Sequence, residues 1–302
     1  MPMLPRWALR LFPALLTVAT SANADLTGHW HVEIPGADPF TEIVQTGTSV
    51  TFTLTFSGSS LVFDGTVSGD ALSATSNDGP CPVGVNLRIL PGETVMDGID
   101  GVYGGPCTYP TKSRAFMSRC ECHDGNQTNG DGCDAECRIE PCFVCSGEPS
   151  ICTPAGDGAA CDDRRDCTTG ETCSAGVCGG GSAVVPCVDL TGRWFWTDDS
   201  TFGVFQSTSD IVQRNGILVF RQAGGSTLRY VGTIDASTGA MDLEIPSNAL
   251  FCTDPVKLTA SAPPDGRTYS GTGSATVESP HFICLDDSFT ETGSRCGGGT
   301  ID

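Results

Sequence analysis

The residues of this sequence that could do chemistry are its imidazoles, carboxylates and thiols. There are four histidines. His29 and His31 stand two apart in an alternating segment and so share one face of a strand, while His123 and His281 lie in other parts of the chain. As a metal site the first two lack a third ligand nearby, so they read as strand surface. Asp124, Asn126, Asn129 and Asp131 fall within eight residues of a glycine-rich stretch. Ca2+ takes six to eight hard oxygens on flexible backbone, so these four form a candidate calcium nest. The spacing is not that of an EF-hand, and its bidentate glutamate is missing. Turn formation explains the same residues without an ion. Asp162-Asp163 and Asp286-Asp287 read as solvated carboxylate pairs. No Gly-x-Ser-x-Gly elbow, His-Glu-x-x-His helix or phosphate loop occurs. The expectation is a protein that is not an enzyme and carries no cofactor, calcium being the one candidate ion.

All 17 cysteines lie beyond residue 24, and 12 of them fall between residues 120 and 187. The start of the chain explains why so many thiols can be carried. Arg6 and Arg10 precede an apolar run from Leu11 to Val18, and Ala22-Asn23-Ala24 supplies the small-x-small pattern of a signal-peptidase site. Residues 1–24 therefore read as a signal peptide, cleaved near Ala24. The run is far shorter than the ~20 residues a membrane helix needs, and no later segment is apolar enough to span. Secretion, the periplasm or the cell surface is the expected location, where cysteines oxidise. Cys142-x2-Cys145 has no second such pair to complete a zinc ribbon, so disulfides are the expected state here too.

The chain carries a formal charge of −20, with acid spread along it. Nucleic acid is excluded as a partner because phosphate binding needs a positive surface. Glycine, proline and the low charged fraction of 17% describe a loop-rich globular chain.

Those loops fall into two copies of one pattern. Asp25-Leu26-Thr27-Gly28-His29-Trp30 returns as Asp189-Leu190-Thr191-Gly192-Arg193-Trp194, and Glu42-Ile43-Val44-Gln45 returns as Asp210-Ile211-Val212-Gln213. Gly65-Thr66-Val67 answers to Gly232-Thr233-Ile234, Cys81 to Cys252, Cys107 to Cys284, and Ser118-Arg119-Cys120 to Ser294-Arg295-Cys296. The order never changes. Val50, Phe52, Leu54 and Phe56 alternate with threonines, the period of a strand with one buried face. Turn signals such as Asn77-Asp78-Gly79, Asn215-Gly216 and Ala223-Gly224-Gly225 punctuate the strands. Each copy can supply roughly seven or eight strands. The expected fold is all-β: two antiparallel barrels or rolls, at 25–119 and 188–302, separated by a cysteine-rich, loop-dominated module at 120–187.

Leu-x-Gly-x-Trp, at residues 26–30 and 190–194, resembles the first strand of lipocalin-like and avidin-like barrels. That resemblance implies a tryptophan closing one end of each barrel and an interior that could admit a small apolar ligand. Barrels of this size can equally be filled by their own side chains. Cys120-Glu121-Cys122-His123-Asp124-Gly125-Asn126 with Asn129-Gly130-Asp131-Gly132-Cys133 and Cys137 resembles the myxobacterial-type cysteine-rich repeat of secreted bacterial proteins. Cys120 departs from that pattern in sitting only two residues before Cys122. The resemblance implies an extracellular or envelope setting, not an activity.

Seventeen is odd, so one thiol is left over or pairs between chains. The two copies suggest Cys81 with Cys107 and Cys252 with Cys284. Cys120, Cys122, Cys133, Cys137, Cys142, Cys145, Cys152, Cys161, Cys167, Cys173, Cys178 and Cys187 then pair among themselves in an order that spacing does not give, leaving Cys296 free. In the competing assignment Cys296 pairs with Cys187. Functionally the sequence favours a secreted or cell-surface binding or adhesion protein whose partner is an extracellular protein, a glycan or a small apolar ligand. A lipocalin-like carrier is the alternative, and a secreted hydrolase with an unrecognised carboxylate site is a third.

Overall fold

The computed structural model describes residues 24–296 apart from 57, 77, 79–81, 93, 103–111, 226, 247–253 and 279–283. The expected signal peptide up to residue 23, Cys81, Cys107, Cys252 and the Cys284 side chain thus lie outside the described residues, and with them both disulfides inferred from the repeat. There are two closed antiparallel barrels of eight strands each. In the first, β1 (Gly28–Glu33), β2 (Phe40–Thr46), β3 (Ser49–Phe56), β4 (Ser59–Ser68), β5 (Ala71–Ser76), β6 (Val83–Ile89), β7 (Val95–Val102) and β8 (Lys112–Arg119) follow one another as a meander. Pairing of β1 with β8, Trp30 opposite Arg119, closes it.

The connecting module holds only short ribbons. β9 (Phe143–Ser146) pairs with β10 (Ile151–Pro154), β12 (Thr172–Ser174) with β13 (Val177–Gly179), and β11 (Thr168–Thr169) with β14 (Ser182–Ala183). The second barrel repeats the meander with β15 (Gly192–Ser200), β16 (Gly203–Arg214), β17 (Ile217–Gln222), β18 (Leu228–Asp235), β19 (Ala240–Ile245), β20 (Val256–Ser261), β21 (Thr268–Glu278) and β22 (Cys284–Arg295). Asn215 and Gly216 both take positive φ, as the two-residue turn between β16 and β17 requires.

The repeated residues close one end of each barrel. Trp30 and Trp194 are fully buried, and each donates its indole N–H to a carbonyl four residues back, Leu26 at 2.8 Å and Leu190 at 2.7 Å. Arg119 and Arg295, from the last strands, lie over those rings with guanidinium carbons 4.9 and 5.3 Å from the centroids. They also donate to the carbonyls of Thr27 and Asp25, and of Thr191 and Asp189. Gln45 and Gln213 bind the incoming chain twice each, accepting from Leu26 and Leu190 and donating to the carbonyls of Ala24 and Val188. Glycine is required in the motif because φ is +130° at Gly28 and +137° at Gly192, with the arginine beneath. The tryptophan that the lipocalin resemblance places at a barrel end is therefore locked by groups the repeat had already paired.

Among the described residues both interiors are packed around the tryptophans, while farther along the second barrel the inward Trp196 and Asp198 keep some exposed surface. In the first, Trp30, Ile43, Phe52, Leu54, Phe63, Leu72, Met96 and Met117 are each at most 2% exposed, and Phe52 stacks on Phe63 at 5.1 Å. In the second, Phe220 meets Tyr230 and Tyr269 edge-on, each pair at 6.0 Å. A side chain with no accessible surface leaves no void beside it that water could enter. Two inward glycines admit the aromatics of the second barrel: a Cβ on Gly273 or Gly293 would lie 2.1 Å from the Phe289 ring or 2.0 Å from that of Tyr269.

The module separates the barrels along the chain but not in space. Leu90 and Phe116 of the first barrel pack with Ile217 and Val231 of the second. Arg221 binds Glu33 through two 2.7 Å contacts, and Arg114 donates to the Arg229 carbonyl at 2.6 Å. In the module, disulfides stand in for a core, as expected where large apolar side chains are scarce. The pairs are Cys120–Cys137, Cys122–Cys133, Cys142–Cys173, Cys145–Cys152, Cys161–Cys178 and Cys167–Cys187. Cys187 thus pairs within the module, and Cys296 is unpaired and half-buried.

Candidate functional site

Among the described residues, three places bring together groups that could serve a function. The first joins the first barrel to the module. His29 projects from β1 on the outer face, and its Nε2 is 3.2 Å from Glu148 Oε1. His123 Nδ1 reaches the same oxygen at 2.9 Å, and the two imidazoles stack with centroids 4.5 Å apart. His31 does not share this cluster. It sits edge-on to Phe40, and burial pulls its pKa below the usual imidazole value. The pairing of His29 with His31 weighed from sequence is thus replaced by His29 with His123 and Glu148. Nothing in the spacing points to it, because the three residues come from two modules.

The second place is the charged interior of barrel two. Asp198 on β15 and Glu291 on β22 face each other across the ladder. Glu291 has no exposed surface, and it accepts from both terminal nitrogens of Arg229, at 3.1 and 2.6 Å, and from the hydroxyls of Tyr269 at 2.6 Å and Tyr230 at 3.3 Å. Arg229 in turn lies 3.3 Å from the Trp196 ring centroid. Burial, then the charge of Glu291, raises both tyrosines far above ordinary phenols. Asp198 is raised to about 6, by burial first and then by Glu291, and its Oδ1 is buried without a hydrogen-bond partner. Asp287, read from sequence as solvated, is buried because it faces inward on β22, and it accepts from the Thr201 N–H at 3.3 Å. Acids converge here as a hydrolase would need, yet Glu291 offers no surface for a substrate or water to reach.

The third place is outside. A cleft of about 800 Å3 on the outer face of barrel two is lined by Phe195, Thr197, Thr268, Ser270, Thr292 and Ser294 with the Pro263-Pro264 turn. Beyond it, the β15–β16 hairpin carries Phe202, Val204 and Phe205 at 50–61% exposure.

The four candidate calcium ligands share one loop whose polar atoms bind one another. The Asn126 amide donates to Asp124 at 2.9 Å and to Asp131 at 3.1 Å, and Asn126 Oδ1 accepts from the Thr128 N–H at 2.6 Å. Asn129 Oδ1 accepts from the Ala135 N–H, while Glu140 takes the N–H groups of Gly130 and Gly132. Among the described residues no helix is long and apolar enough to cross a membrane.

No protein-family model matches the chain, the cysteine-rich module included, and no curated protein does. Among solved structures, a tryptophan-to-alanine variant of the vaccine antigen Transferrin Binding Protein B from Haemophilus parasuis Hp5 is similar at 9% identity, over 87% of this chain and 66% of that one, with a TM-score of 0.21. The chain spans just under two thirds of that structure's length, and the likeness is too slight to bear on function.

Proposed function

We propose that this is an exported, non-catalytic binding protein that meets its partner, another extracellular protein, at the β15–β16 hairpin tip of its second barrel. Six disulfides belong to an oxidising compartment. The observation that carries the reading is the exposed apolar tip of the β15–β16 hairpin, where Phe202 stands in the turn, Val204 on the outer face and Phe205 on the inner one opposite Asp198. Such a patch costs solubility and marks an interaction surface. The carrier alternative needs an open pocket beneath Trp30 or Trp194, and packed side chains occupy both places. The glycan alternative has the hydroxyl-lined cleft in its favour, but the apolar tip suits a protein better.

The test is saturable binding to a panel of purified extracellular proteins and a glycan array, repeated with Phe202→Ser/Phe205→Ser. Loss of one protein interaction in the variant, with melting unchanged, supports the reading. Binding that survives the substitutions, or that is confined to glycans, overturns it.

A further inference from the structure

We infer that His29, His123 and Glu148 form a binding site for a divalent transition metal of the zinc type, tying the cysteine-rich module to the first barrel. Two imidazoles and one carboxylate are a complete protein ligand set for such an ion, leaving a position for water. Imidazole nitrogen excludes the hard-cation chemistry of calcium and selects zinc, copper or nickel.

The geometry is close to what the ion requires. Metal–ligand bonds of about 2.0–2.1 Å at tetrahedral angles place ligand atoms about 3.4 Å apart. The carboxylate oxygen is 3.2 Å from His29 Nε2 and 2.9 Å from His123 Nδ1, and all three ligand atoms lie within 4.8 Å of one another. The spacing thus suits an ion, and because the rings stack at an interplanar angle of 21°, one imidazole turns about its side-chain bonds for both nitrogens to face it. Both imidazoles are about a quarter exposed and the glutamate 56%, so the entry path is open.

The ligands are also held in place. The His123 N–H donates to Ser150 Oγ at 3.0 Å and the Ser150 N–H returns to the His123 carbonyl at 2.6 Å. Cys145–Cys152 closes the ribbon that carries Glu148, and Cys122–Cys133 anchors the residue before His123. His29 is fixed in the barrel wall, its carbonyl accepting from the Cys120 N–H at 2.9 Å. The backbone that carries the ligands is thus already ordered, and the metal has only side-chain rotation left to impose. The cluster of Cys142, Cys161 and Cys173 is no rival, since all three sulfurs are in disulfides.

The test is Zn2+ binding to the oxidised full chain by calorimetry, with Co2+ absorption to identify ligand type. One ion per chain is expected, with a cobalt spectrum lacking the thiolate charge-transfer band, so that Cys296 is not the ligand. His29→Gln, His123→Gln and Glu148→Gln should each weaken binding at least ~10-fold. Their ion-free melting temperatures should stay near that of the unsubstituted chain, and His31→Gln should bind normally. No zinc uptake overturns the inference, as does uptake undiminished in the His29→Gln/His123→Gln double variant or a thiolate band that vanishes in Cys296→Ser. The hairpin variant should bind zinc normally, which separates this inference from the reading of function above.

Discussion

Replacing Glu291 by glutamine is the sharpest perturbation of the second barrel. The carboxylate neutralises Arg229 through two N–H···O contacts while taking two tyrosine hydroxyls. A carboxamide keeps one acceptor and adds a donor. The phenols can rotate to accept from that donor, but Arg229 only donates, so the loss falls on the ion pair. Breaking a buried pair costs about 3–5 kcal/mol, because the survivor is left charged in a poor solvent. Arg229 keeps 15% of its side chain exposed and recovers some hydration, which puts the expected cost near 3 kcal/mol. At roughly 2–4 °C per kcal/mol for a chain of this order, the melting midpoint falls by about 10 °C. Arg229→Met should cost more, since the carboxylate it strands has no exposure at all. The double substitution should cost less than the sum of the two. Urea unfolding followed by near-ultraviolet circular dichroism, with disulfides intact, measures all three. A Glu291→Gln cost below about 1 kcal/mol, or strict additivity, would refute the buried ion pair.

Asp198 gives a pH dependence of definite sign. Its folded pKa is raised to about 6, above the usual 3.8 of an aspartate, so its contribution to stability is present below pH 4 and is lost as pH climbs through 6. Because the group is partly exposed, the loss is discounted to about 1 kcal/mol; Asp198→Asn should flatten that fall in chemical denaturation and be the more stable form at pH 7. Gly293→Ala would drive a methyl group to 2.0 Å from the Tyr269 ring and push its hydroxyl away from Glu291. Overpacking of this kind costs about 1–3 kcal/mol, so a melting temperature equal to the parent's would contradict the filled interior. Reduction with dithiothreitol should open residues 120–187 to limited proteolysis while fragments containing each barrel persist, because the barrels have apolar cores and the module's cluster is built on its cystines. Prior digestion of either barrel would argue against that division.

Much of the fold was legible because it is repetitive. The alternation in Val50, Phe52 and Leu54 and the return of Leu-x-Gly-x-Trp, Gln45 as Gln213 and Arg119 as Arg295 named the strands and, unrecognised as such, the groups that close each barrel. The disulfide order could not be read, since spacing does not say which sulfurs meet. Whether the barrels are hollow was equally hidden, because it depends on how the inward rings of Phe52 and Phe63 or Tyr230 and Tyr269 mesh, not on how often they occur. The His29, His123 and Glu148 cluster was missed for a topological reason: the closing strand β8 delivers the module to the side of β1, bringing together residues far apart in sequence. The burial of Asp287, Glu291 and Gly293 could have been found from their alternation with Phe289 on β22.

The central claim, that the barrels are packed around their tryptophans and the protein works from the hairpin tip of the second, is tested most directly by titrating the oxidised chain with a long-chain fatty acid and a fluorescent apolar probe while recording tryptophan emission. No saturable binding and no change in emission are predicted. Stoichiometric uptake, one or two ligands per chain, with quenching that is lost in Trp30→Phe or Trp194→Phe, would show an open interior and contradict the claim.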